Sequence, residues 1–409
     1  MKKTPLAVAL VGAGALAATL AGCSGGSGSA AGGADAKNLT IEDYYQDNYD
    51  PIYQECAEKV GATVTINHVA GAGLIAKVLQ QASSKTLPDV LMLDNPDVQQ
   101  IAKSGAISPL KNYGIDGGDA VQGVIDAGTY DGELYGLVPV TNSIALYYNT
   151  DMLTAAGIEP PKTWDELRAA AKTLTDSASG RYGFAMSNIN TYEGTWQFLP
   201  FFWSNGGDEK DIATPEAAQA LQFIVDLQND GSMSQSSVSW AQADVKDQFV
   251  AGKAAMMVNG PWQLPALNEA TEKSGLHFDS VPIPTRTSSQ TTIAPLGGEA
   301  FTVPNTGDKD KMALSGAFVK CLGEPDMQKT IAKVTGNVPT DKKAGAEWAA
   351  ANPQVASFVT TVQTARARTG ELGDAWPKAA TAIYTAVQNA LTGKASPADA
   401  LSQAQAENK

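Results

Sequence analysis

Residues 134–153, LYGLVPVTNSIALYYNTDML, constrain this chain more than any other stretch. Two short apolar runs, 137–140 and 144–148, flank a polar step at Thr141, Asn142 and Ser143. Tyrosine and β-branched side chains favour an extended backbone, so the segment reads as strand with a polar interruption. Before it the sequence carries one βα series, and from Thr154 a second begins. A strand leaving one lobe for the next crosses the cleft between them, and such clefts are preferred ligand sites. Asn142, in mid-crossing, is where a ligand would be met. The alternative is an ordinary core strand carrying one solvated asparagine.

The first residues argue for export. Lys2 and Lys3 form a basic region, residues 6–20 an apolar alanine-rich one, and Leu20-Ala21-Gly22-Cys23 matches the box at which bacterial lipoproteins are cleaved and lipidated. The apolar run is too short to be a spanning helix. Residues 1–22 are therefore expected to be a signal peptide and Cys23 a lipid anchor on the outer face of the cytoplasmic membrane. A plain secretory signal with an incidental cysteine is the alternative. Residues 23–37, rich in Gly, Ser and Ala, read as a flexible tether. Losing residues 1–22 removes two lysines and moves the net charge from −14 to −16. An acidic chain without a basic run argues against nucleic acid as a partner.

The remaining body of roughly 370 residues exceeds what one core usually supports, so two lobes are expected. Cys56 and Cys321 are the cysteines left after Cys23. In an exported protein such a pair can be a disulfide. Strand patterns at 38–45, 62–68, 89–93, 181–186, 254–258 and 277–284 alternate with helical ones at 51–60, 76–83, 164–175, 215–228, 240–251 and 309–322. Thr163 with Glu166 three residues on is a capping-box signature. Residues 296–304 look like a return crossing. The expected fold is α/β with two lobes, each a mostly parallel sheet flanked by helices: 38–141 with 298–343, and 142–297 with 344–409.

Catalytic signatures are mostly missing. His68 and His277 stand in unrelated strand-like contexts, in no zinc spacing, and no metal or cofactor is expected. No nucleophile elbow or phosphate-cradling loop occurs. Glu193, Glu299, Asp94 and Asp97 could supply an acid and a base for glycoside hydrolysis. The same carboxylates also suit hydroxyl recognition. Asp94, Asn95 and Asp97 follow a buried-looking strand, where open α/β sheets meet ligands, although Asp97 could equally cap a helix. Tyr44, Trp196, Trp240, Trp262 and Trp376 lie at loop or helix starts beside polar residues. Aromatic faces next to carboxylates and amides suit a sugar, whose ring is apolar on its faces and polar at its rim.

Together LPDVLMLDNPDVQQIAKSGAISPL, YDGELYGLVPVTNSIALYYNTDML, PPKTWDEL, GTWQFLPFFWSNGG, DQFVAGKAAMMVNGPW and ALTGKASPADAL carry a resemblance over residues 38–409. The chain resembles the extracellular solute-binding proteins of carbohydrate ABC importers, the maltose-binding-like class. The resemblance implies two lobes closing on one sugar like a hinged trap, a permease as partner, a monomer, and no covalent chemistry. By motif position it puts Asp94, Asn95, Asp97, Asn142, Trp196 and Trp262 at the cleft. Tyr44, Tyr45, Glu193, Trp240, Gly298 and Glu299 follow by loop position, and Trp376 and Arg368 as weaker carry-overs. Relatives nearer the maltose binders often have a carboxylate where Asn142 stands, so the sugar is open. Rival readings are a receptor for ferric ion or a polyamine, with Tyr147-Tyr148 as possible iron ligands, a glycosidase using Glu193 and Glu299, or a structural lipoprotein.

Overall fold

The computed structural model describes residues 36–45 and 47–407. The signal segment, Cys23 and nearly all of the tether lie outside the described residues.

Two four-stranded sheets organise the body. The first is built from β1 (Asn38–Asp43), β2 (Thr63–His68), β3 (Val90–Asp94) and, from much later in the chain, the strand Glu299–Thr302. β2 and β3 both pair in parallel with β1, and Glu299–Thr302 runs antiparallel beside β3. Helix Asp50–Val60 supplies the crossover between β1 and β2; Gly61 ends it in a left-handed conformation, φ +71°, which glycine adopts without strain. β3 is apolar and enclosed throughout 90–93, as expected of a parallel strand covered on both faces. Cys56 on that helix and Cys321 on helix Lys309–Leu322 meet with Cα atoms 5.8 Å apart and their sulfurs bonded.

The second sheet holds β4 (Ala145–Asn149), β5 (Tyr182–Ala185), β6 (Ala254–Asn259) and β7 (Phe278–Val281), in the order β7-β4-β6-β5. Here the expectation of a mostly parallel sheet is corrected. Only β5 and β6 run parallel; β4 is antiparallel to both its neighbours. β4 enters directly from the crossing, without a helix to turn it round, so it runs against the strands of its new sheet. With Glu299–Thr302, here β8, the first sheet reads β8-β3-β1-β2.

Helix Trp164–Leu174 starts on the capping box read from sequence: the Thr163 hydroxyl accepts from the Glu166 N–H, and the Glu166 carboxylate accepts from the Thr163 N–H. The second lobe's core is dominated by aromatic side chains of helix Tyr192–Ser204, packed against helices Pro215–Asn229, Trp376–Leu391 and Pro397–Glu407. Its C-terminal helices thus close a core begun two hundred residues earlier.

Three segments pass side by side between the sheets. Residues Val140–Thr141 pair with Val338–Pro339, and Asn142 bridges to Gly297. The polar step is consumed in this stitching: Thr141 Oγ1 donates to Gly297 O at 2.8 Å and Ser143 Oγ to Pro295 O at 2.7 Å. Thr340 Oγ1 donates to the carbonyls of Val138 and Pro139. Residues two apart on a strand share a face, and Thr141 and Ser143 both turn their hydroxyls to the return crossing. Among the described residues no helix is long and apolar enough to cross a membrane.

Candidate ligand site between the lobes

The crossings bring a set of charged and aromatic side chains together. Asp94 ends β3, Glu299 begins β8, and the two are register partners. Carboxylates directly opposite one another repel unless each finds a partner. Each does. Glu299 accepts from the Tyr44 hydroxyl at 3.2 Å and the Tyr45 hydroxyl at 2.5 Å. Asp94 is held by both terminal nitrogens of Arg368, at 2.6 and 2.5 Å. Burial, and then the Asp94 charge against the two tyrosine hydrogen bonds, leaves the Glu299 carboxyl above the usual range.

Arg368 is positioned by a neighbour. Arg366 pairs with the return crossing through Leu296 N to Arg366 O and Arg366 N to Ala294 O, both 2.8 Å. Its guanidinium lies over the Trp203 ring, 5.0 Å from the centroid, and donates to the buried Glu209 at 2.7 Å. Arg368 repeats the arrangement over Trp196, 4.5 Å from the centroid. Trp196 and Trp203 are two helical turns apart and so share a face. One helix thus offers two rings to two arginines, and only the second arginine reaches across to the first sheet's Asp94. Cation–π stacking of this kind contributes roughly 0.5–2 kcal/mol each.

Asp97 sits in the turn Asn95–Asp97 and is 4 % exposed. Burial, assisted by Asp94 and opposed by Arg368, pushes its carboxyl up to about 8. It does not cap the following helix, whose first turn takes no side-chain bond from it. Tyr192 from the second lobe lies in the field of both Asp97 and Asp94, and its ring stands 6.4 Å from that of Tyr384. Asn142 and Trp196 converge on Gly297: a Cβ there would come within 2.0 Å of Asn142 Oδ1 and 2.7 Å of the Trp196 ring. Only glycine allows that approach.

Other residues singled out from the sequence hold different positions. Asn95 donates to Gly298 O at 2.9 Å and Leu296 O at 3.4 Å, clamping the return crossing. Gly298, at φ +124°, has no side chain to offer; an added Cβ would meet Val140 O at 2.6 Å. Glu193 accepts from Gln242 N at 2.9 Å at the start of helix Gln242–Val250. Trp240 packs on the satellite core that holds Tyr147 and Phe249, and Trp262 folds over Gly260 onto the main core of the second lobe. Trp376 is 1 % exposed, its ring 6.3 Å from Trp203, and it presents no face to a ligand in this conformation. Trp240 and Trp262 are only partly buried, unlike Trp376.

Tyr147 and Tyr148 point to opposite faces of β4. Tyr147 donates to Gly260 O at 3.0 Å, and Tyr148 to Asp279 at 3.4 Å, in different cores. They do not form one iron site. Elsewhere, His68 meets Asp43 at 2.6 Å, Asp50 at 3.2 Å and Asp47 at 3.7 Å. Candidate metal-ligating atoms of Asp47, Asp50 and His68 lie within 4.8 Å of one another, a grouping that sequence spacing does not reveal. It is an ion-paired surface cluster with Asp47 almost fully exposed.

The model of the bacterial extracellular solute-binding protein family matches residues 52–357. The chain belongs to that family. Among relatives of this solute-binding protein is the maltooligosaccharide ABC transporter solute-binding lipoprotein of Streptococcus pneumoniae, 26 % identical over 329 residues, 76 % of this chain and 74 % of that one. The galactooligosaccharide-binding protein of Bacillus subtilis is 24 % identical over 332 residues, covering 78 % and 76 %. Maltose-bound MalE3 of T. maritima superimposes with a TM-score of 0.81 at 24 % identity, over 91 % of this chain and 98 % of that one. Both lobes and their crossings are therefore shared with the maltose-binding fold.

Proposed function

We propose that this protein is an exported receptor, held on the membrane through Cys23, that captures a mono- or oligosaccharide between its lobes and hands it to an ABC-transporter permease. The observation that carries the reading is the enclosed group Tyr44, Asp94, Asp97, Trp196, Glu299 and Arg368, contributed by both lobes where the chain crosses between them. Carboxylates and a guanidinium match hydroxyl rims, and aromatic rings match sugar faces. The oligosaccharides named for relatives support the class, and their difference from one another leaves the particular sugar open.

Contacts from both lobes favour the closed arrangement, so ligand shifts the population toward the form that a permease would recognise. No covalent step is assigned. Glu193 and Glu299 are engaged with a helix start and two phenols, and neither stands free as an acid or base.

A thermal-shift screen against mono-, di- and trisaccharides, with ferric citrate and polyamines included, tests the reading. Ligand that binds only the folded state raises the melting temperature by mass action. A shift with one sugar family supports it; a shift with iron or an amine alone sinks it.

A further inference from the structure

β1 and β2 end side by side on Asp43 and His68, which are register partners. Asp43 is fully enclosed, and the His68 imidazole stands over it with Nδ1 2.6 Å from Asp43 Oδ1. The other ring nitrogen, Nε2, faces two further carboxylates, Asp50 at 3.2 Å and Asp47 at 3.7 Å. One imidazole thus gathers aspartates from β1, from the turn Asp47–Tyr49 and from the first residue of helix Asp50–Val60. With both nitrogens protonated it donates in both directions, whereas a neutral ring carries a hydrogen on one of them only. If Nδ1 keeps that hydrogen, a lone pair is left against Asp47 and Asp50. The lysines of the neighbouring helices have other engagements. Lys77 of helix Gly71–Ser84 meets Glu42 at 2.6 Å, on the opposite face of β1 from Asp43. Lys59 pairs with Glu55 further along helix Asp50–Val60. Helix Pro325–Thr335, packed on the turn, carries Asp326, Lys329 and Lys333, and Asp326 holds Lys329 at 3.0 Å.

The gathered segment carries the tyrosines of the site. Tyr44 and Tyr45 follow Asp43 directly, and their hydroxyls meet Glu299. Tyr45 has two supports, and both lead back to His68. Its backbone N–H helps to hold the Asp43 charge, alongside the Tyr53 hydroxyl at 2.7 Å. Its ring lies flat on that of Tyr49, centroids 3.9 Å apart, and Tyr49 stands between Asp47 and Asp50 in the chain. Burial works against a charged His68, but the hydrogen bond and charge of Asp43, and then Asp50, outweigh it and hold the imidazole above its usual value. Burial likewise lifts the Asp43 carboxyl, against its hydrogen bonds from Tyr53 and His68. What the charged imidazole contributes is fully present below its ordinary value of about 6.5 and is lost as pH climbs through the raised one.

We propose that His68 is a positioning residue for the site, a clamp whose proton keeps Tyr44 and Tyr45 on Glu299 by way of Asp43 and Tyr49, so that affinity for sugar falls as the medium turns alkaline. The proposal rests on the sugar reading above and adds a control to it. When the proton leaves, the turn Asp47–Tyr49 and the start of helix Asp50–Val60 lose their hold on the end of β2. Tyr49 then no longer backs Tyr45, and the phenol that meets Glu299 is free to swing away. An exported receptor meets the pH of the medium directly, and the imidazole reads it there.

The test has a ligand-free arm and a binding arm, both run with EDTA present. The chain has two histidines, so His277→Gln assigns both imidazoles in a proton NMR titration. His68 is expected to titrate above about 6.5, and the Tyr45 amide resonance, seen with tyrosine labelled in nitrogen-15, to follow the same curve. In the second arm the protein is titrated calorimetrically with maltose, maltotriose, cellobiose and galactobiose. Affinity for whichever binds is expected to fall about threefold or more between about pH 6 and pH 8.5. His68→Gln, which has no charge to lose, should bind weakly already at the lower pH. His68→Arg, with a permanent charge, should stay tight at the higher one, and it serves also where His68→Gln fails to fold. Asp97 titrates in every variant, so the differences between profiles isolate His68. Parallel profiles for wild type and His68→Gln overturn the proposal, as does a Tyr45 amide indifferent to the His68 titration. If none of the sugars binds, the sugar reading falls, and the Tyr45 amide alone decides the clamp.

Discussion

Arg368 holds Asp94 with two hydrogen bonds of 2.6 and 2.5 Å, although the two residues are 274 positions apart. The same guanidinium lies over Trp196, 4.5 Å from the ring centroid, so the ion pair and the stacked ring share one arginine. A pair of this kind contributes little net stability when whole, but removing one partner strands the other's charge.

Arg368→Ala should therefore destabilise the protein by about 2–4 kcal/mol, read from urea unfolding. It should also loosen the tie between β3 and helix Tyr192–Ser204, giving a larger radius of gyration by small-angle scattering without ligand. Unchanged scattering would show that the pair does not help to hold the lobes together.

Asp97 makes the unliganded protein sensitive to mild alkali. Its folded-state carboxyl is raised to about 8, so its contribution is fully present below the ordinary carboxylate value and is lost as pH rises through about 8. Asp94 and Arg368 face it, with the Tyr44 and Tyr192 phenols, both pushed up by burial, nearby. Lys103, paired with Asp374, and Lys378 lie on elements packed against its turn. Stability should fall by about 1.4 kcal/mol per pH unit between pH 6 and 8, and Asp97→Asn should flatten that slope in pH-dependent denaturant titrations.

The Cys56–Cys321 bond joins helices 265 residues apart in sequence. Closing so long a loop restricts the unfolded chain, an effect of typically about 2–5 kcal/mol. Dithiothreitol, or Cys56→Ala with Cys321→Ala, should lower the melting temperature by several degrees while leaving sugar affinity unchanged, because neither residue reaches the site.

At Gly298 the backbone sits at φ +124° against Val140 O. Gly298→Ala combines an unfavourable conformation with a 2.6 Å contact and should cost about 1–3 kcal/mol or more. Gly61→Ala, with open space around its Cβ, is the control and should cost less in the same melts.

Local chemistry was the legible part of the sequence. The capping box at Thr163, the apolar strand Val90–Asp94 and the polar step at 141–143 all announce themselves through short-range patterns. The orientation of β4 did not, because periodicity reports which residues face a core and not which way the strand runs in its sheet. Arg368 carries only a faint signal: two arginines two residues apart in a turn rich in glycine and threonine. Its importance comes from Trp196 and Asp94, which only the fold brings to it. The tryptophans were harder still. Trp196 and Trp376 both stand near helix starts, yet one lies under an arginine at the crossing and the other is sealed against Trp203.

The three crossings have a consequence for how this chain can be divided. The first sheet takes β8 from residues 299–302, and the second lobe's core takes its last helices from residues 376–407. Each lobe therefore waits for sequence that lies beyond the other's. No single cut separates the two cores cleanly, because the strand that completes the first sheet lies between stretches that build the second core. A working split receptor would have to be made by rejoining the termini and reopening the chain at a surface loop.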